Sequence, residues 1–138
     1  MSNPSNAAVT LTDEAKSTLR TAAYGAVSLL AAAGAPHKGT AQASIALTSA
    51  TGLVGHVLSA KSKDIHLTGK TVAELADQVL PALTAAMSLL EAQSPSGAAN
   101  FRATIAVAVE AATQAGKNDP APAVIAMANK IIEALDAA

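Results

Sequence analysis

"IHLTGKTVAEL", residues 65–75, is the stretch on which the fold class turns. If its Gly69-Lys70-Thr71 ends a phosphate-binding loop, a strand must precede it and a sheet must surround it. If it only starts a helix, the chain belongs with the all-helical proteins. A phosphate loop needs Gly-x-x-x-x-Gly-Lys-Ser/Thr between strand and helix, so that successive amides wrap the phosphates. The first glycine of that pattern falls on Asp64, whose carboxylate would repel the anion. No buried-strand pattern comes before it, and no acidic strand end follows to hold magnesium. Helix initiation accounts for every residue instead. Thr71 can cap, with Glu74 three places on returning the bond, or Thr68 can cap with Leu67 and Val72 as a staple. Lys61, Lys63 and Lys70 surround this helix start and are candidates for anion binding. Asp64 cuts the local charge, so a solvated loop is the favoured reading there.

From this start a two-faced helix runs to about Gln93. Val72, Leu75, Val79, Leu83, Met87 and Leu90 form its apolar stripe, with Glu74, Asp77, Gln78, Thr84, Ser88 and Glu91 on the other side. Pro81 lies on the polar side and removes one amide, which predicts a kink rather than a break. Working outward, a first helix is expected from Thr12, with Asp13 and Glu14 in its first turn and Gly34-Ala35-Pro36 as its stop. A second helix is expected over residues 40–62. "SPSGAANF" (94–101) should separate the third from a fourth whose inner face is Phe101, Ile105, Ala108, Val109 and Ala112. After a turn at "GKNDPAP" (116–122), Asp119 caps and Pro120 opens a last helix carrying Val124, Ala128, Ile131 and Leu135. The expected fold is an all-α, five-helix bundle over residues 11–138, behind a flexible N-terminal segment of residues 1–10.

An internal echo suggests more. Residues 9–19 and 65–75 share an aliphatic residue, Leu-Thr and a later Leu at matching positions, and the same offset pairs Ile45 with Phe101 and Thr48 with Thr104. This reads as a possible duplicated helical hairpin, four helices in all, followed by the C-terminal helix.

Composition narrows the function classes. The 138 residues carry a formal net charge of −1, no cysteine, no tryptophan, and one residue each of tyrosine (Tyr24) and phenylalanine (Phe101). About a quarter of the chain is alanine, the strongest helix former and a residue that lets helices approach closely. Without cysteine there is no disulfide framework and no thiolate zinc site. The start lacks a secretory pattern, which points to the cytoplasm. The uncharged stretch over residues 39–60 is too polar for a membrane span. Scattered basic residues and missing aromatics argue against nucleic acid. His37, His56 and His66 show no metal-ligand spacing, so no cofactor and no metal is expected. No catalytic motif is present either.

The second helix is the most informative segment. Thr48, Gly52, Gly55 and Ser59 fall at spacings of four, three and four, a strip with almost no side-chain bulk. Two mid-helix glycines cost about 1 kcal/mol each, so another backbone is expected to lie close against them. Ala22, Gly25 and Leu29 of the first helix, or a second copy of the chain, would supply it. His56 sits within this apolar helix and, if buried, needs a hydrogen-bond partner. Low charge and several amphipathic helices imply apolar surface left uncovered. The leading expectation is therefore non-catalytic helix-face association, with a homo-oligomer or a protein partner. The alternative is a small-molecule pocket near Gly52, Gly55, His56 and Phe101.

Overall fold

The computed structural model describes residues 11–59, 67–114 and 121–138, which form six helices and no strand. Helix α1 (Asp13–Ala33) begins where its capping chemistry says it should. Thr12 Oγ1 accepts from the Ala15 amide at 3.0 Å, and Asp13 and Glu14 occupy the first turn. It ends at Gly34, whose φ of 116° lets its own amide and that of Ala35 turn back onto the last carbonyls.

The expected second helix is two helices, α2 (His37–Thr48) and α3 (Gly52–Ser59), so the count of five becomes six among the described residues. The break has a local and a distant cause. Gly52 adopts a φ of +74°, which the interior of a right-handed helix cannot contain, so it can only stand at a helix end. The Asn100 carboxamide, from a helix far along the chain, donates to the Thr51 carbonyl at 2.8 Å and holds the turn open. The hydroxyl of Thr48 also donates back to Ile45, as short polar side chains do where helices end.

Helix α4 (Val72–Gln93) runs unbroken through the exposed Pro81. Ser94 then serves two helices. Its amide bonds to Leu90 at the end of α4, and its hydroxyl accepts from the Gly97 amide at 3.2 Å to start α5 (Pro95–Gln114). "SPSGAANF" is thus the first turns of a helix rather than a connector, with Pro95 at the first position, where its missing amide costs nothing. Helix α6 (Pro122–Asp136) uses the same device two residues later than expected, with Ala121 before Pro122. Asp119, Pro120 and the N-terminal residues 1–10 lie outside the described residues.

Helix α1 touches each of the other five. Its Leu19, Ala22, Ala23, Gly25, Ala26, Leu29 and Leu30 are all buried, and the small residues among them let neighbours close in from several sides. Around it, Leu83 and Leu90 of α4, Phe101 and Ile105 of α5, and Ile131 and Leu135 of α6 complete the core. Arg102 of α5 clamps the end of α6, donating to both oxygens of Asp136 at 2.7 and 3.1 Å. Those bonds hold the Asp136 carboxyl below its usual range. The clamp is complete above the ordinary aspartate pKa and is lost as pH falls through the lowered value.

The duplication fails at the level of register. Ile45 is 62% exposed where Phe101 is fully buried, and Thr48 is exposed where Thr104 is buried. The single helix α5 answers to α2, a break and α3. No described helix is long and apolar enough to cross a membrane.

Candidate functional site: the α2–α5 face

The Gly69-Lys70-Thr71 loop resolves first. The amides of Thr68 and Gly69 both donate to Gln78 Oε1, at 3.1 and 3.0 Å, while Gln78 Nε2 donates to Thr68 Oγ1 at 2.7 Å. The Lys70 amide reaches Glu74 Oε1 at 3.3 Å, and the Glu74 amide donates to Thr71 Oγ1 at 3.1 Å. Three of the amides a phosphate would need are therefore taken by side chains of the helix they precede. Gly69 is glycine because a Cβ would come within 2.8 Å of the α4 backbone at Glu74 and Leu75. This is a capping box, with the carboxylate reaching one residue further back than usual. Thr71→Ala is expected to lower stability by about 1 kcal/mol, with Thr71→Ser largely neutral, read by urea denaturation. Lys70 is exposed beside this loop, while Lys61, Lys63 and His66 lie outside the described residues.

The strip of the second helix is dispersed by the break. Thr48, Gly52, His56 and Ser59 are exposed, and only Gly55 is buried. The atoms nearest to a side chain at Gly55 come from Ala50 and not from another helix. The carbonyl of Ala50, folded back from the turn before α3, occupies the place a side chain would take. Beside Gly52 stands the Asn100 carboxamide, 3.2 Å from a would-be Cβ. At Gly55, protein atoms thus occupy the space a ligand would need against the backbone. His56, expected within the apolar face, points outward. His37 is exposed at the start of α2. Phe101 is a core residue with no exposed surface. Among the described residues no group of three or more His, Cys, Asp or Glu side chains is placed to hold a metal ion.

Close helix approach does occur, at other glycines. Gly25 of α1 faces Val79 of α4 rather than α3; a Cβ there would be 2.8 Å from a valine methyl. Gly39 of α2 rests directly on α5, where a Cβ would be 2.5 Å from the Ala112 carbonyl oxygen. Sequence reasoning passed over Gly39. The signal was present, since Gly39, Ala43 and Leu47 stand four apart and all three are buried.

Gly39 and Ala43 bring the inside of α2 close to α5, while Ile45, an aliphatic side chain as large as the buried Leu47, faces water. Across the helix pair, Val107 of α5 is 57% exposed. Val107 stands between two shallow grooves. One, about 320 Å³, is lined by Ala46, Ser49, Ala50, Ala103 and Thr104 as well as Val107. The other, about 260 Å³, is lined by Val107, Glu110, Ala111 and Gln114. Ile45 stands next to Ala46 in the chain and one turn before Ser49, two residues that line the first groove. Glu110 is the single charged residue among these linings. No protein-family model, curated protein or solved structure matches this chain, and the functional reading rests on this face.

Proposed function

We propose that the protein works without catalysis, through association of helix faces, and that the α2–α5 face pairs with the same face of a second copy. The observation that carries this is the exposure of Ile45 and Val107 on the packed α2–α5 pair, where Glu110 is the single charged residue in the groove linings. Exposed aliphatic residues scattered singly are ordinary; a grouped pair bordered by alanine-lined grooves is what an interface uses. The shape supports self-pairing in particular. A two-fold contact must be complementary to itself, so one patch must carry both the projection and the recess. Val107 is the projection; of the recesses on either side of it, the larger is lined mainly by Ala and Ser and the smaller by Glu110, Ala111 and Gln114. The expectation of association is thereby kept, and its place moves from the Gly52–Gly55 strip to the neighbouring helix pair.

Sedimentation velocity over a concentration series reaching on the order of 100 μM tests the reading. The wild-type chain is expected to dimerise, and a Val107→Lys, Ile45→Lys double variant to stay monomeric with an unchanged helical spectrum. A wild-type chain that remains monomeric throughout overturns the proposal. A variant that dimerises as well as the wild type shows that another face is used.

A further inference from the structure

We infer that α3 is a detachable element, latched to α1 and α5 by side chains at both of its ends, and that it opens as one unit before the rest of the fold. Eight residues are too few for a helix to persist alone in water. This one also contains Gly55 and begins at Gly52 in a left-handed conformation. Its persistence therefore depends on its neighbours. It buries Val54, Val57 and Leu58.

Hydrogen bonds from other helices also reach the backbone at both ends of α3, two on its own last turn and one on Thr51 just before it. At its C-terminal end Arg20 Nε donates to the Val57 carbonyl at 3.0 Å, and the Tyr24 hydroxyl donates to the Leu58 carbonyl at 2.6 Å. These are last-turn carbonyls, which have no partner within the helix, and the guanidinium also suits the negative end of the helix dipole. At the N-terminal end Asn100 Nδ2 donates to the Thr51 carbonyl, which also receives the Gly55 amide at 3.3 Å. Burial raises the Tyr24 pKa against the opposing influence of Arg20, so the hydroxyl remains a donor through the neutral range.

An element held mainly from outside opens at a free energy below that of global unfolding. Because both ends are pinned and the middle cannot hold itself, losing either latch frees the whole. Opening uncovers Val54, Val57, Leu58 and the stretch of α1 bearing Arg20 and Tyr24. Ala50 ties this motion to the surface, since it lines the groove beside Val107 while its carbonyl rests on Gly55. The inference stands whether or not the α2–α5 face pairs.

Native-state hydrogen exchange on the full chain, resolved by residue, tests it. In the wild type the amides of residues 55–59 are expected to exchange together, well ahead of the buried amides of α1 and α4. Tyr24→Phe removes one of the two bonds at the C-terminal end and Asn100→Ala the one at the other. Each is expected to speed exchange of all five amides about five- to tenfold, the factor corresponding to one hydrogen bond of ordinary strength, with α4 unaffected. If the wild-type amides of α3 are as protected as those of α1, the inference fails. It fails equally if each variant speeds only the amides beside its own latch.

Discussion

Gly39→Val is expected to remove about 3 kcal/mol or more of stability, at or beyond the upper end of what an overpacked core usually loses. The obstacle is backbone. A Cβ at residue 39 would lie 2.5 Å from the Ala112 carbonyl oxygen, 3.1 Å from its carbon and 3.2 Å from its Cα. A crowded side chain can change rotamer, but a helical carbonyl can move only with its helix. To admit even one methyl group, α2 must lift off α5, and Ala43 and Leu47, both fully buried, would lose their contacts with it. Valine adds two further carbons at the same point. Mid-helix Gly→Ala on an open surface gains roughly 0.5–1 kcal/mol in helix propensity, so the alanine variant makes the sign informative. Stability should fall from Gly to Ala to Val, with the valine midpoint lower by roughly 10 °C. An alanine variant that melts higher than the wild type would show that the two backbones do not touch there.

How much of this was legible from the residues depends on whether the deciding contact is near in sequence. Thr12, Gly34 and Thr71 act within a few residues of themselves, and each sits where a cap was expected. The stripe of α4 was equally readable: Val79, Leu83, Met87 and Leu90 are buried, and only its first turn strays, with Val72 exposed and Leu75 half-buried. The division of the second helix was not readable. It depends on Asn100, 49 residues away, and on the Ala50 carbonyl folding onto Gly55. Local pattern supplied a plausible continuous helix across residues 40–62, and the glycines looked like bare helix surface rather than a hinge and the site of a folded-back turn.

The same limit hid the candidate surface. In an alanine-rich helix, hydrophobicity barely separates inside from outside. On α2 the inner positions are Gly39, Ala43 and Leu47, while Ile45, as large as Leu47, is outside. Size does not sort these residues by burial, because the depth of the α2–α5 contact, and not apolarity, selects what faces inward. Gly39 itself stands just after Gly34-Ala35-Pro36, a strong stop signal, and so read as part of a loop.

Phe101→Ala is expected to cost about 3–5 kcal/mol, the range for emptying a buried ring site. That is a large part of the 5–15 kcal/mol typical of a domain. The ring is completely buried within a core otherwise built of Leu, Ile, Val, Met and Ala. Its own helix supplies Ala98, Thr104, Ile105 and Ala108 as buried neighbours in the adjoining turns. Alanine has no rotamer with which to reach into a vacated space, so such a core relaxes poorly around a cavity and the loss falls toward the upper end. Phe101→Leu keeps most of the volume and is expected to cost less than about 1.5 kcal/mol. Paired urea titrations of the two variants separate a packing role from the ligand role that the sequence also allowed. A ring lining an open pocket would tolerate truncation, so a loss below about 1 kcal/mol in the alanine variant, within the scatter of ordinary substitutions, would return Phe101 to the list of binding residues.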